Sequence, residues 1–231
     1  MTQNSIKYNR TFHYPFSLGT SSDDRINAAY WQDFGNIPEL IHTEKLDGEN
    51  NCLSRHGVFA RSHATPTQSA WTQHLRVLWQ SLRNDLGDLE IFIENLFAIH
   101  SIHYKNINDY YYVFAVRQNG RFLSWDDVKE IAALFGFPTV PEISIPKFDP
   151  KSEPEFKRSF LSQISSVGSF DPYDIHTQMP CTIEGIVSRN RAAFSTDDFA
   201  HNVFKYVRKN HVKTNQHWRK NWQRAELKSI T

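Results

Sequence analysis

A lysine closing a short apolar segment, with a carboxylate two residues on and a glycine after it, constrains this chain more than any other feature. The run is Thr43-Glu44-Lys45-Leu46-Asp47-Gly48-Glu49-Asn50, preceded by Leu40-Ile41. In a strand, residues i and i+2 share a face, so the Lys45 amine and the Asp47 carboxylate are expected to point together. Gly48 permits a turn or a close backbone approach to a ligand. A lysine in that setting can act as a covalent nucleophile once neighbouring cations lower its pKa. The plain alternative is a solvated charge pair before a turn. A Lys-x-Asp-Gly match arises by chance in roughly one chain of this length in twenty, so the motif alone does not decide.

The segments that follow add order to it. Asn51-Cys52-Leu53-Ser54, the turn Arg55-His56-Gly57 and Val58-Phe59-Ala60-Arg61 read as a hairpin that returns Arg61 beside Lys45. Further strands are read at Phe92-Ile93-Glu94-Asn95-Leu96, Tyr110–Val116, Thr182–Ser188 and Asn202–Val207. Between them, helical spacing of apolar residues predicts a short helix over 22–33 and a long one from Thr65-Pro66 to Asp85, ended by Gly87. A third helix starts at Ser124, with Asp127 completing a capping-box-like pattern. A fourth carries Phe156, Phe160 and Ile164 after a proline-rich connector over 138–154. The stretch Ser165–Pro180, rich in Ser, Asp and Pro, reads as a loop. Strands alternating with helices indicate an α+β architecture with antiparallel sheets.

This succession resembles the covalent nucleotidyltransferase superfamily of RNA ligases, DNA ligases and capping enzymes, and most closely the small bacterial and phage ATP-dependent RNA ligases. The residues that carry it are Glu44-Lys45-x-Asp47-Gly48-x-Asn50, Glu94-Asn95-Leu96 with His100-Ser101-Ile102, Ile183-Glu184-Gly185, and Lys205-Tyr206-Val207-Arg208-Lys209-Asn210-His211-Val212. It covers roughly residues 10–220. The fold it implies is a ligase-type nucleotidyltransferase domain over residues 1–231, with antiparallel sheets forming an ATP cleft and no separate OB barrel.

The activity it implies is joining of 5′-phosphate and 3′-hydroxyl RNA ends, as in RNA repair, through a lysyl-AMP intermediate on Lys45. Asp47, Glu184 and Lys205 are then catalytic, with Lys205, and Arg208 as a further candidate, favouring neutral Lys45. Glu44, Asn50, Arg61, Glu94, Phe114 and Lys205 form the nucleotide site. Phe114 matches the aromatic that stacks on adenine. Glu94 and Glu184 match carboxylates that hold waters on Mg2+, or on Mn2+ in its place. The implied partners are RNA and a separate polynucleotide kinase/phosphatase; a monomer and a homodimer both remain open. The alternatives are a DNA nick ligase, a capping-type transferase, and a catalytically weak nucleotide- or RNA-binding module.

The chain departs from the pattern at three places. Ile93 stands where many relatives have Gly, and Ala115 where many have an acid. Val207 stands where the final motif often has a second Lys, leaving Arg208 as the next cation on the opposite face of a regular strand.

Composition bounds the rest. The 231 residues suit one large domain or two small ones, and the two cysteines, Cys52 and Cys181, lack metal-like spacing. No apolar run approaches a membrane span, so a cytoplasmic enzyme is the expectation. The net charge of +1 does not announce nucleic acid, but its distribution does better. From Lys205 onward, five Lys and three Arg face one acid, Glu226, with Tyr206, Trp218 and Trp222 interleaved. Cations neutralise phosphates and aromatic rings stack on bases. Residues from Lys213 on are therefore expected to serve mainly the RNA steps, or to pack as a basic helix. His100 and His103, three apart, are read as buried or hydrogen-bonded rather than as metal ligands.

Overall fold

The computed structural model describes residues 7–61, 64–145, 152–166, 168–209 and 218–229. Strand β1 (Phe12–His13) and helix α1 (Tyr30–Phe34) lead into β2 (Leu40–Lys45). The hairpin β3 (Glu49–Ser54) and β4 (Gly57–Ala60) follows, then α2 (Gln73–Leu82) and β5 (Leu89–Asn95). After these come β6 (Ile102–Tyr104), β7 (Tyr111–Gln118), β8 (Arg121–Phe122), α3 (Trp125–Leu134) and α4 (Glu153–Ile164). The chain continues through β9 (Pro172–Asp174), β10 (Gly185–Asn190), β11 (Phe194–Ser195), α5 (Phe199–Asn202) and β12 (Val203–Val207).

Two sheets dominate. The first has the order β1-β12-β10-β2, antiparallel except for the parallel pair β1 and β12; the second, fully antiparallel, has the order β11-β8-β7-β5-β3-β4. The period of two sorts each strand's side chains onto two faces. In the first sheet Ile186, Phe204 and Tyr206 pack outward with Tyr30, Phe34, Phe156 and Phe160 of α1 and α4. In the second, Leu53, Ile91, Ile93 and Val113 pack against α2 and α3 through Leu75, Trp125, Val128 and Ala132. The inner faces turn toward each other. Val203, Phe92, Ala115, Phe122, Phe194 and Phe199 form a small third core there, with Tyr8, Phe114 and Val187 against it. The cleft opens beside that third core.

The helices agree with the periodicity, with two shortened. Ser124 accepts from Asp127 N at 3.2 Å and caps α3, and α4 buries Phe156, Phe160 and Ile164 as expected. The long helix begins only at Gln73, after a 3-10 turn over Ala70–Thr72. The predicted helix over 22–33 is reduced to α1, because residues 21–27 are used in side-chain turns and in contact with β1: Ser21 bonds Asp23 and Asp24, and Asn27 N bonds His13 O. Residues 165–180 are not wholly loop, since β9 pairs with β6.

Gly185 has no room for a side chain. A Cβ on Gly185 would run into the carbonyl oxygen of Tyr206 on the neighbouring strand, and Gly185 lies between Lys45 and Val207 in the ladder. Gly185→Ala is therefore expected to push β10 off β12 and cost about 1–3 kcal/mol, the usual scale of overpacking. Urea unfolding of the two proteins measures this; an unchanged midpoint would show that the ladder yields without cost.

Candidate active site

Register brings the cleft residues together. Lys45 lies opposite Gly185, and Thr43 and Lys205 flank Val187, so Lys45 and Lys205 project from one face two strands apart. From the second sheet, Asn50 and Glu94 are paired across β3 and β5 and face them. Arg61 follows β4, its amide bonded to Asn50 O at 3.2 Å. The partly open cavity, about 370 Å3, is lined by the polar residues Lys45, Asn50, Arg61, Glu94 and Lys205 and by the apolar or aromatic residues Tyr8, Phe114, Ala115, Val187 and Phe194. That volume lies within the range of small-molecule sites, about 300–1,000 Å3.

The central contact is Lys45 with Glu184. The amine donates to both carboxylate oxygens, at 2.8 and 2.7 Å. Burial pushes the Lys45 pKa down, but Glu184, Glu94 and Asp47 outweigh it, so the amine is held above its ordinary value. This corrects the expectation of a neutral Lys45: in the free site the carboxylates, not Lys205, dominate its field. Lys205 takes the opposite shift, lowered to about 8 by burial and by Lys45. Its amine is 3.7 Å from Asp24 Oδ1, and the same oxygen is 3.2 Å from His13 Nε2.

Glu94 accepts from Gly48 N at 2.9 Å. Burial pushes its pKa up to about 8, with Glu184 and Asp47 adding to this and Lys45 and the Gly48 amide opposing. Gly48 is required for the approach, since a Cβ would lie 2.5 Å from Asn95 O. Phe114 reaches the cleft through a β-bulge. Phe92 pairs with Ala115 and Ile93 with Val113, which leaves Phe114 as the extra residue. A bulge re-aims a side chain, so Phe114 and Ala115 both border the cavity.

Three predicted residues sit differently. The strand ends at Lys45, so alternation does not carry to Asp47; its Oδ2 accepts from Ser101 N and Ile102 N, both at 2.8 Å. Asp47 thus anchors the segment after β5 and does not share Lys45's face. Glu44 points to the other side of β2, where its Oε2 accepts from Ser169 N at 2.8 Å. Burial raises the Glu44 pKa, and Glu44 is nonetheless among the residues that line the cavity. Arg208 lies past β12, its amide bonded to Glu184 O at 2.9 Å, and is not among the cavity-lining residues. Asn210, His211, Val212 and Lys213 lie outside the described residues.

Sequence reading missed Tyr8, Arg189 and Arg219, which also line the cavity. Tyr8 packs edge-on to Phe92, Phe114, Phe122 and Phe199, with centroids 4.9–5.7 Å away. Arg189 donates to Phe114 O at 2.9 Å and Leu123 O at 3.1 Å, which ties β10 to the bulge. Its signal was present: alternation on β10 puts residues 185, 187 and 189 on one face. Nothing in the local sequence of Tyr8 or Arg219 marks either as a cleft residue.

Residues 38–207 match the sequence profile of the RNA ligase family, well over half of the chain. The chain belongs to the RNA ligase family. Among solved structures, this RNA ligase family member is similar to an archaeal ATP-dependent RNA ligase, with TM-score 0.52 and 14% identity over 87% of this chain and 48% of that one. It is also similar to a putative ATP-dependent DNA ligase from Aquifex aeolicus, with TM-score 0.50 and 16% identity over 87% and 50%. A Naegleria gruberi RNA ligase mutant with ATP and Mn follows, with TM-score 0.49 and 14% identity over 89% and 62%. No curated protein matches the sequence. The first two likenesses establish the fold as the ligase nucleotidyltransferase type, α+β with no closed barrel among the described residues. The chain spans about half the length of those two ligases. Among the described residues no helix is long and apolar enough to cross a membrane, and no three His, Cys, Asp or Glu side chains converge as a metal site.

The raised Glu94 pKa has a thermodynamic consequence. Between the ordinary glutamate value and about 8 the folded state holds a proton that the unfolded chain releases, so this group makes stability fall as pH rises through that window. Glu94→Gln removes the titration. The parent's urea midpoint should decline between pH 5 and pH 8 more steeply than the variant's; parallel profiles would mean that Glu94 titrates normally.

Proposed function

We propose that this protein is an ATP-dependent RNA ligase that seals 5′-phosphate to 3′-hydroxyl RNA ends through a covalent AMP on Lys45. The observation that carries this reading is the Lys45 amine gripped by Glu184 at 2.7–2.8 Å within a nucleotide-sized cleft that also holds Lys205. The site has groups suited to each part of ATP. Asn50 Oδ1 is buried without a hydrogen-bond partner, and unpaired buried acceptors are costly, so a ribose hydroxyl donor fits there. Phe114 and Val187 offer apolar surface for the base, and Arg61 and Lys205 offer cations for phosphates.

In the first step the Lys45 nitrogen bonds to the α-phosphorus as the bond to pyrophosphate breaks, and the ammonium must first give up a proton. Glu184 is the carboxylate within hydrogen-bond reach of that proton. Lys205 faces the charge that develops on the α-phosphate. The AMP then passes to an RNA 5′-phosphate, and a 3′-hydroxyl displaces it. The carboxylates suit a hydrated divalent ion bound through one or two side chains and substrate phosphates. Magnesium, with manganese in its place, would be held through water by Glu94 and Glu184 and would neutralise charge on the transferring group. Asp47 contributes by fixing the 101–102 backbone. Residues 1–231 act in this reading as one adenylyltransferase domain, with RNA as partner.

Incubation with labelled ATP or GTP and magnesium tests the covalent step, and sealing of nicked and single-stranded RNA beside a DNA nick tests the substrate. An acid-labile AMP adduct on the parent is expected. Lys45→Ala should abolish it, and Lys45→Arg should be equally inactive because guanidinium stays protonated. Glu184→Ala and Lys205→Ala should each slow it at least about a hundredfold. Covalent AMP on either Lys45 variant, read by intact mass, would sink the assignment.

A further inference from the structure

After β12 the chain returns to the second sheet. There the segment before and around Ala225 is stapled to the backbone that follows β5: Ile99 N bonds Gln223 O and Ala225 N bonds Phe97 O, each at 2.9 Å. Arg224 donates to Tyr110 Oη at 3.0 Å, Tyr110 Oη donates to Ala225 O at 3.2 Å, and Ala225 is buried. Trp222 packs on Trp71 and Phe97. Lys228 N adds a bond to Ile107 O. These contacts fix the position of the 3-10 turn Trp218–Lys220 just before them. Its Arg219 is the residue that enters the cavity wall. The guanidinium lies 4.0 Å from Glu49 Oε1 and 6.0 Å from the centre of the Trp71 ring, and its side chain is half-exposed at the rim.

Residues from Lys213 on are expected to serve mainly the RNA steps, yet Arg219 borders the nucleotide-sized cavity. Arg219 stands at the rim beside Glu49, in the wall of the same cavity that Lys45, Arg61 and Lys205 line. A triphosphate running from the α-phosphate at Lys45 toward the rim presents its terminal phosphates there. A planar, permanently charged fork suits them.

We infer that Arg219 binds the β- and γ-phosphates of the incoming nucleoside triphosphate, so that the C-terminal segment completes the nucleotide site from within the same chain. The inference rests on the ATP-dependent reading of the cleft. It separates Arg219 from its neighbour Lys220, which is exposed and is not among the cavity-lining residues.

The test uses the full chain carrying Lys45→Ala, which prevents turnover, and titrates it with ATP and with AMP by calorimetry. Adding Arg219→Ala should weaken ATP at least about tenfold, the scale of charge-assisted phosphate bonds, and leave AMP within about twofold. Arg219→Lys should recover part of the loss, and Lys220→Ala should change neither ligand. Retained AMP affinity also shows that the variant is folded. If Arg219 only staples the tail to Glu49, the two ligands will weaken together or not at all, and the inference fails while the ligase reading stands. If ATP loses affinity as expected but the Lys45-bearing parent forms no adduct, the phosphate role stands and the ligase reading fails. If the Lys45→Ala host binds neither ligand, both are overturned.

Discussion

The pair of hydrogen bonds between Lys45 and Glu184 fixes more of this molecule than any other contact. A charged amine three-quarters removed from water needs a partner, because desolvating an ion costs several kcal/mol before any pairing returns it. Only one register of β2 against β10 supplies that partner: Lys45 opposite Gly185, with Glu184 at the strand's entrance. That register in turn sets Thr43 and Lys205 on either side of Val187, and sends Ile186, Phe204 and Tyr206 to the outer core. A slip of one residue would exchange the faces of the strand and bury lysine against phenylalanine. The ion pair is thus less a source of stability than a statement of which side of the sheet is the cleft.

How much of this was legible in the sequence depends on whether the information was local. The Lys45, Glu94, Glu184 and Lys205 segments each show a strand-like pattern interrupted by charge, and the cleft gathers Lys45, Glu94 and Lys205, with Glu184 bound to the Lys45 amine. The caps of α3 and the buried face of α4 followed from 3.6-residue spacing. What failed was extrapolation past an element's end. Asp47 was assigned by alternation, yet β2 stops at Lys45, and two backbone amides after β5 claim the carboxylate instead. Glu44 shows the same rule giving the opposite side, since adjacent side chains in a regular, unbulged strand point to opposite faces.

Phe114 marks the limit differently. Regular alternation from Ala115 would turn it away from the cavity; the one-residue bulge against Phe92 and Ile93 lets both residues border it. No pattern in Tyr110–Val116 reveals a bulge, because the information lies in the partner strand and in Arg189, whose guanidinium holds the Phe114 carbonyl. Tyr8 and Arg219 were hidden for a related reason. Both come from segments near the chain's ends, and their position follows from distant contacts: four phenylalanine rings for one, and Phe97, Ile99 and Tyr110 for the other.

The net charge of +1 conceals the electrostatics that matter. Within the cleft, Lys45, Arg61, Lys205 and Arg219 meet Glu94 and Glu184, and each group's field is felt by its neighbours more strongly than in water. The carboxylates hold Lys45 protonated, while Lys45 and burial bring Lys205 down to about 8. A polyanion entering this site would favour every cation and oppose both carboxylates, which raises the need for a divalent counter-ion beside Glu94 and Glu184. Tyr8, Phe114 and Val187 add ring and aliphatic surface to the same wall, which suits a flat, uncharged group. Under the proposed function, a nucleoside triphosphate in this cleft would be oriented first by charge, its phosphates toward the lysines, before any base-specific hydrogen bond is formed.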